Sequence, residues 1–275
     1  MEDFTLLFFR VTLVTAFLTA AAYMVHFVAQ GKKVRTIARV LMILSGVLQS
    51  GYIILGFAIA GHTPLTSQHD AVVFFAWSTS IAYLSFRWRY SVKNFGTPVS
   101  MMIFLLLLVA SFSHKSFAPL PPALQSVWLP IHGGVSLVAY GFLTLAFCGS
   151  LMYLLLEREL KSKRFGYFFA RFPSLGALDQ LNHHCLLAGF AFLTVGIVTG
   201  SLWARQAWGT YWQWDPKETW SLITWCVYLV QLHQRLTVGW RGKKAAAMSV
   251  LGFIGVLFTL WGVTYLLGGV HSYAR

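Results

Sequence analysis

The sequence is short of charge. Only 11% of its 275 residues are Asp, Glu, Lys or Arg, against roughly 25% in ordinary soluble domains. A soluble chain of this length needs far more polar surface to cover one core, so a water-soluble globular fold is excluded. Acid is scarcer still, with eight Asp and Glu against 21 Lys and Arg. Cysteine is sparse too: Cys148, Cys185 and Cys226 stand apart from one another. Without a CxxC or CxxCH pair the chain is neither a thiol oxidoreductase of the thioredoxin kind nor itself a c-type cytochrome. Internal repeats and low-complexity linkers are also missing, so the expectation is one polytopic membrane domain over 1–275.

Apolar residues are abundant, at 57%. They fall in blocks of about 20, the length that crosses a hydrocarbon layer roughly 30 Å thick. Eight blocks are legible: 4–29, 37–60, 70–86, 97–113, 131–156, 182–204, 217–235 and 247–270. Glu2 and Asp3 occupy the place where a cleaved signal peptide carries basic residues, so the first block reads as a span. The expected fold is an all-α bundle of eight transmembrane helices with an external tryptophan-rich loop.

The placement of charge gives the orientation. Sixteen of the 21 Lys and Arg fall between alternate spans: Lys32, Lys33, Arg35 and Arg39; Arg87, Arg89 and Lys93; Arg158, Lys161, Lys163, Arg164 and Arg171; Arg235, Arg241, Lys243 and Lys244. Cationic loops resist translocation, so these segments mark the inner side, and both termini face out. The net charge of +13 then reads as a basic face against anionic membrane lipid, not as a nucleic-acid footprint. Two outer loops stand out. Loop 112–130 holds Pro119, Pro121, Pro122 and Pro130, and loop 203–216 is rich in tryptophan.

Residues 203–225 carry six of the 11 tryptophans: Trp203, Trp208, Trp212, Trp214, Trp220 and Trp225, with Tyr211 among them. One reading is an aromatic belt at headgroup depth. The other is a binding platform, because aromatic faces stack on a large flat apolar ligand while indole N–H groups stay available as donors. Spacing alone leaves both open. Asp215-Pro216-Lys217-Glu218 reads as a helix start, with Asp215 as N-cap, Pro216 in the first turn and Glu218 as the capping-box carboxylate.

With those residues in view, the segment resembles the "WWD" signature of haem-handling membrane proteins. Trp208-Gly209, Tyr211-Trp212, Trp214 through Trp220 and Leu222-Ile223-Thr224-Trp225 carry the likeness. The Asp215-to-Trp220 run is most similar to the CcsA/ResC family, the membrane subunit of the System II cytochrome c synthase. Gly61-His62-Thr63-Pro64-Leu65, Ala123 to Ser126 with Trp128 and His132, Leu232 to Arg235 and Gly268 to Tyr273 are similar in the same order.

The resemblance implies a function and a site. It implies haem b as the bound group, with His132 and His271 as axial ligands of the iron on the outer face. It places Trp208, Tyr211, Trp212, Trp214 and Asp215 around that haem. His233 lies eighteen residues beyond Asp215, roughly 27 Å deeper at 1.5 Å per residue. The resemblance makes it a ligand of a second position near the inner face, although a histidine at a helix end also interacts well with the last carbonyls. The second ligand there comes from a CcsB/ResB partner, with His184 as a candidate within this chain; His183 and His26 are weaker. His62 reads as a support of the outer site and a minor candidate ligand, while His69 and His114 read as solvated loop residues. The implied partners are that CcsB/ResB-type protein and an apocytochrome c with reduced CxxCH. The implied setting is a bacterial cytoplasmic or thylakoid membrane. A haem carrier or regulatory haem-binding protein without attachment activity is the alternative.

Overall fold

The computed structural model describes residues 2–63, 65, 67–90, 92–113, 125–163 and 166–267. Its elements are helices: α1 Glu2–Ala29, α2 Lys32–Ala60, α3 Gln68–Arg89, α4 Gly96–Phe112, α5 Trp128–Lys161, α6 Tyr167–Arg171, α7 Leu175–Trp208, α8 Pro216–Thr237 and α9 Lys243–Leu257. A π-helical stretch, Phe258–Leu267, continues α9. No strand occurs among the described residues, and the chain is an all-α membrane protein.

Each apolar block falls on one helix as far as it is described, the last continued by the π-helical stretch. Among the described residues, five helices are long and apolar enough to cross a membrane: Phe4–Ala29, Lys32–Ala60, Trp128–Lys161, Leu175–Trp208 and Lys243–Leu267. The other three fall short for identifiable reasons. At 17 residues, α4 is short. Interior polar side chains dilute α3, which buries Gln68, His69, Asp70, Ser78, Thr79 and Ser80, and α8, which buries Thr224 and Gln231.

The helices pack as two units, Met1–Ala118 and Pro119–Arg275. In the first, α1 packs on α2 and α4, and α3 packs on α2 and α4. Polar contacts inside it link distant helices: Tyr23 and Tyr83 hydroxyls meet at 3.2 Å, and Trp77 Nε1 donates to Ser50 Oγ at 2.8 Å. His69, expected in solvent, is only 4% exposed. Its Nδ1 donates to the Ala110 carbonyl at 2.8 Å, and its Nε2 lies 3.0 Å from the Tyr52 hydroxyl. These partners on α4 and α2 offset the cost of burying an imidazole.

The second unit is built on α5 and α7, which pack along their lengths, with α9 against α5 and α8. Near one end, Asn182 Nδ2 reaches Ser150 Oγ and Ser249 Oγ at 2.6 and 2.7 Å, and Gln231 Nε2 reaches Ser249 Oγ at 2.7 Å. Four helices thus share one buried polar cluster. One turn further on, Arg235 Nη2 pairs with Asp179 Oδ2 at 2.7 Å, with side chains 8% and 13% exposed. Asp179 also accepts from the Gly242 N–H at 2.8 Å. That carboxylate therefore joins α7, α8 and the turn into α9.

Candidate functional site

His132 sits one turn into α5 and is half-buried against α7. Its Nδ1 lies 2.8 Å from the Gly196 carbonyl. A carbonyl only accepts, so Nδ1 carries the proton and Nε2 is the nitrogen with the lone pair. The ring lies nearly parallel to the Trp203 indole, with centroids 6.0 Å apart and an interplanar angle of 16°. Gly200 makes this approach possible: a Cβ there would stand 2.7 Å from His132 Nδ1 and Cε1. Trp203 is 1% exposed, and with Leu129 it forms a small core against which Trp128, Ala207 and Trp208 pack.

The tryptophan segment begins differently from the sequence expectation. Residues 203–208 are not loop, because α7 continues through Trp208. It stops at Gly209, whose φ of 84° and N–H bond to the Arg205 carbonyl close the helix, a conformation glycine adopts without a Cβ penalty. The connection to α8 is therefore only residues 209–215. Within it, Tyr211 is 56% and Trp214 69% exposed. Trp212 and Trp214 meet edge to face at 5.8 Å. The Arg205 guanidinium stands 5.7 Å from the Tyr211 ring and donates to the Gly209 carbonyl. Trp212 Nε1 is buried with no acceptor among the described residues.

Asp215 takes the capping role its sequence context indicates. Its carboxylate accepts from Lys217 N at 2.9 Å. Glu218 accepts from Asp215 N at 3.3 Å and from Gln213 N at 2.8 Å. These bonds satisfy donors at the start of α8 and fix the exit of the loop.

Of the residues singled out from sequence, the structure brings His132 and Trp208 together through Trp203. His233 is elsewhere. Asp179 at one end of α7 holds Arg235, two residues from His233, while Gly196 holds His132. Those α7 positions are roughly 25 Å apart at 1.5 Å per residue. His233 is exposed on α8, and His184 is exposed on α7 with its Nδ1 donating to the Gln180 carbonyl at 2.7 Å. His26 is buried and His183 half-buried. His62 is half-buried, its Nδ1 3.2 Å from the Thr63 carbonyl. His271 and His114 lie outside the described residues. Gly196 and Gly200, which let α7 approach His132, are not part of any motif read from the sequence. The small-xxx-small spacing of the two glycines was the available signal.

The second unit thus seats a histidine between α5 and α7 beside a tryptophan-rich connection. Residues 65–271 match the family described as Cytochrome C assembly protein. The cytochrome c biogenesis protein CcsA of Chlamydomonas reinhardtii is 36% identical over 246 residues, covering 86% of this chain and 68% of that one. CcsA of Trieres chinensis is 33% identical over 276 residues, covering 88% of each. The solved structure of the cytochrome c haem lyase CcmF superposes with a TM-score of 0.70 at 15% identity, covering 94% of this chain and 46% of that one. That likeness is one of fold, and this chain spans about half of the larger protein. The chain belongs to the CcsA family of cytochrome c biogenesis proteins.

Proposed function

We propose that this chain binds haem b, presents it at the outer membrane face and takes part in its attachment to apocytochrome c, working with a CcsB/ResB-type partner. Haem is the substrate here. The observation that carries the reading is the seat of His132. Metal-ligating histidines donate their other ring N–H to a carbonyl or carboxylate, which fixes the tautomer and the ring plane. His132 does this through Gly196. The neighbouring connection adds exposed aromatic faces at Tyr211 and Trp214 and an indole N–H on Trp212, the equipment a flat apolar ligand with polar edges requires.

In this reading His132 and His271 hold the iron from its two faces while Trp208, Tyr211, Trp212 and Trp214 flank the ring. Asp215 contributes by fixing the loop. The attachment adds each thiol of the CxxCH segment across a haem vinyl group: sulfur bonds one vinyl carbon and a proton goes to the other, with no net change of oxidation state. The apocytochrome histidine then replaces one of the two chain histidines. The chain's contribution is orientation of the reactants. His233, at the other end of the second unit, serves an earlier haem position whose second ligand comes from the partner.

The proposed topology has eight spans. At 22 residues each, α3 and α8 extend about 33 Å, enough to cross, and α4 is the shortest span. Both termini and residues 209–215 face out, and the basic segments face in.

The test is co-expression with the partner, measuring haem per protein by absorption and holocytochrome by haem staining. His132→Gly and His271→Gly should abolish maturation while haem still loads near His233. His233→Gly should lower haem throughout. Added imidazole should partly restore all three, because it can occupy the space left by a missing ligand. Full maturation in His132→Gly and His271→Gly without imidazole would end the ligand assignment.

A further inference from the structure

At one end of the first unit, where α1 turns into α2, positive charge gathers without a counterpart. The acids of this unit are Glu2, Asp3 and Asp70. Glu2 and Asp3 begin α1, far along that helix from Tyr23, and Asp70 precedes Arg87 on α3 by about 25 Å. The contact between α2 and α3 brings arginines to this end. Its rungs are Ser50 with Trp77 at 2.8 Å, Gln49 with Ser80 at 3.1 Å, and Gly46, where a Cβ would meet Leu84 at 3.3 Å. Continued in the same register, the helices carry Arg39 and Arg87 into one neighbourhood. Both are half-buried. Arg39 lies within electrostatic range of Arg87, Arg35, Tyr23 and Tyr83, and Arg87 within that of Tyr83. Among the described residues neither Arg39 nor Arg87 has an ion pair or a side-chain hydrogen bond.

The tyrosines add a second, separate observation. Tyr23 and Tyr83 are 4% and 5% exposed, and their hydroxyls meet at 3.2 Å. One hydroxyl donates in that bond. The other keeps a proton that has no acceptor among the described residues, an arrangement that costs free energy in a buried place. Donors on α1, α2 and α3 thus gather at one point.

We propose that this end of the first unit is a binding site for a phosphate group, whose oxygens accept from the Arg39 and Arg87 guanidinium edges and from the remaining tyrosine hydroxyl. A guanidinium offers paired N–H donors that match two oxygens of one phosphate. The tetrahedral group has oxygens for donors on three helices, whereas a planar carboxylate has two. Its charge also offsets the repulsion between the arginines. Trp88, between Arg87 and Arg89, is 93% exposed, as a ring at headgroup depth is. A lipid headgroup and a free phosphate present the same oxygens, and the two sources are separated by experiment. This reading is independent of haem chemistry.

The test heats the purified full chain in a neutral detergent and follows tryptophan fluorescence. The probes are phosphatidylglycerol, phosphatidylcholine, and sodium phosphate against sodium chloride at equal ionic strength. A ligand of the folded state raises the midpoint in a saturable way. Phosphatidylglycerol should do so beyond phosphatidylcholine, whose choline offsets the phosphate charge. A rise with sodium phosphate as well identifies a site open to the free ion, and a rise with the lipid alone identifies a headgroup site. Arg39→Gln/Arg87→Gln removes like charges and should fold. It should need about fivefold more phosphatidylglycerol for each arginine lost. Tyr23→Phe/Tyr83→Phe keeps both rings, removes the hydroxyl donor and should weaken the response severalfold. Lys243→Gln/Lys244→Gln removes the same charge from exposed positions of the second unit and should respond as wild type. The proposal is overturned if neither phosphatidylglycerol nor phosphate exceeds its control. An unchanged response in the Arg39/Arg87 variant overturns it too, as does an equal weakening in the lysine variant.

Discussion

His132 and Gly196 are joined across two helices by one hydrogen bond of 2.8 Å, ring Nδ1 to backbone carbonyl. Side-chain substitution cannot remove that carbonyl, but the space beside it can be filled. A Cβ at Gly200 would stand 2.7 Å from the His132 ring, whereas one at Gly176, on the same helix, meets nothing within 4 Å. Gly200→Ala should therefore displace the imidazole and lower haem affinity by about 10- to 100-fold, as disturbed supports of metal ligands do. Gly176→Ala should be neutral. Haem content and the low-spin absorption spectrum of the purified protein check both. An unaltered spectrum in Gly200→Ala would show that the ring orientation does not matter.

Trp212 and Trp214 contact each other at the tip of the connection. Replacing both by Leu keeps the tip apolar but removes the flat faces and the Trp212 N–H. Haem per protein should fall severalfold, each stacked ring being worth on the order of 1 kcal/mol. Wild-type haem content after that change would leave the rings as a membrane-interface belt.

Asp215 is 7% exposed and caps α8. Asp215→Ala should cost about 1 kcal/mol of stability, and Asp215→Ser, another good cap, should recover most of it. Thermal denaturation in detergent measures the cost. Haem content should follow the same order. Loss of haem in the Ser variant at recovered stability would instead assign the carboxylate a direct role toward haem.

The topology has its own test. In a Cys226→Ser background, since Cys226 is exposed, a cysteine at Thr210 should react with a membrane-impermeant reagent in intact cells. One at Ser162 should react only after lysis. The reverse pattern would invert the sides and remove the outer haem position.

The sequence alone determined what depends on neighbours in the chain. Apolar blocks fixed the positions of the long helices, because crossing length and burial are set by consecutive residues. Asp215-Pro216 with Glu218 fixed the start of α8, because capping acts within one turn. The tertiary structure decided what depends on distant partners. Hydropathy ends a span where the apolar run ends, yet α7 continues to Trp208 because helical hydrogen bonds and packing against α5 outlast it. His69 is buried because Tyr52 and Ala110, 17 and 41 residues away, satisfy both its nitrogens. His132 acquires a fixed tautomer from a carbonyl 64 residues away. Such partners meet only when helices pack, so the local pattern does not carry the orientation of the ring.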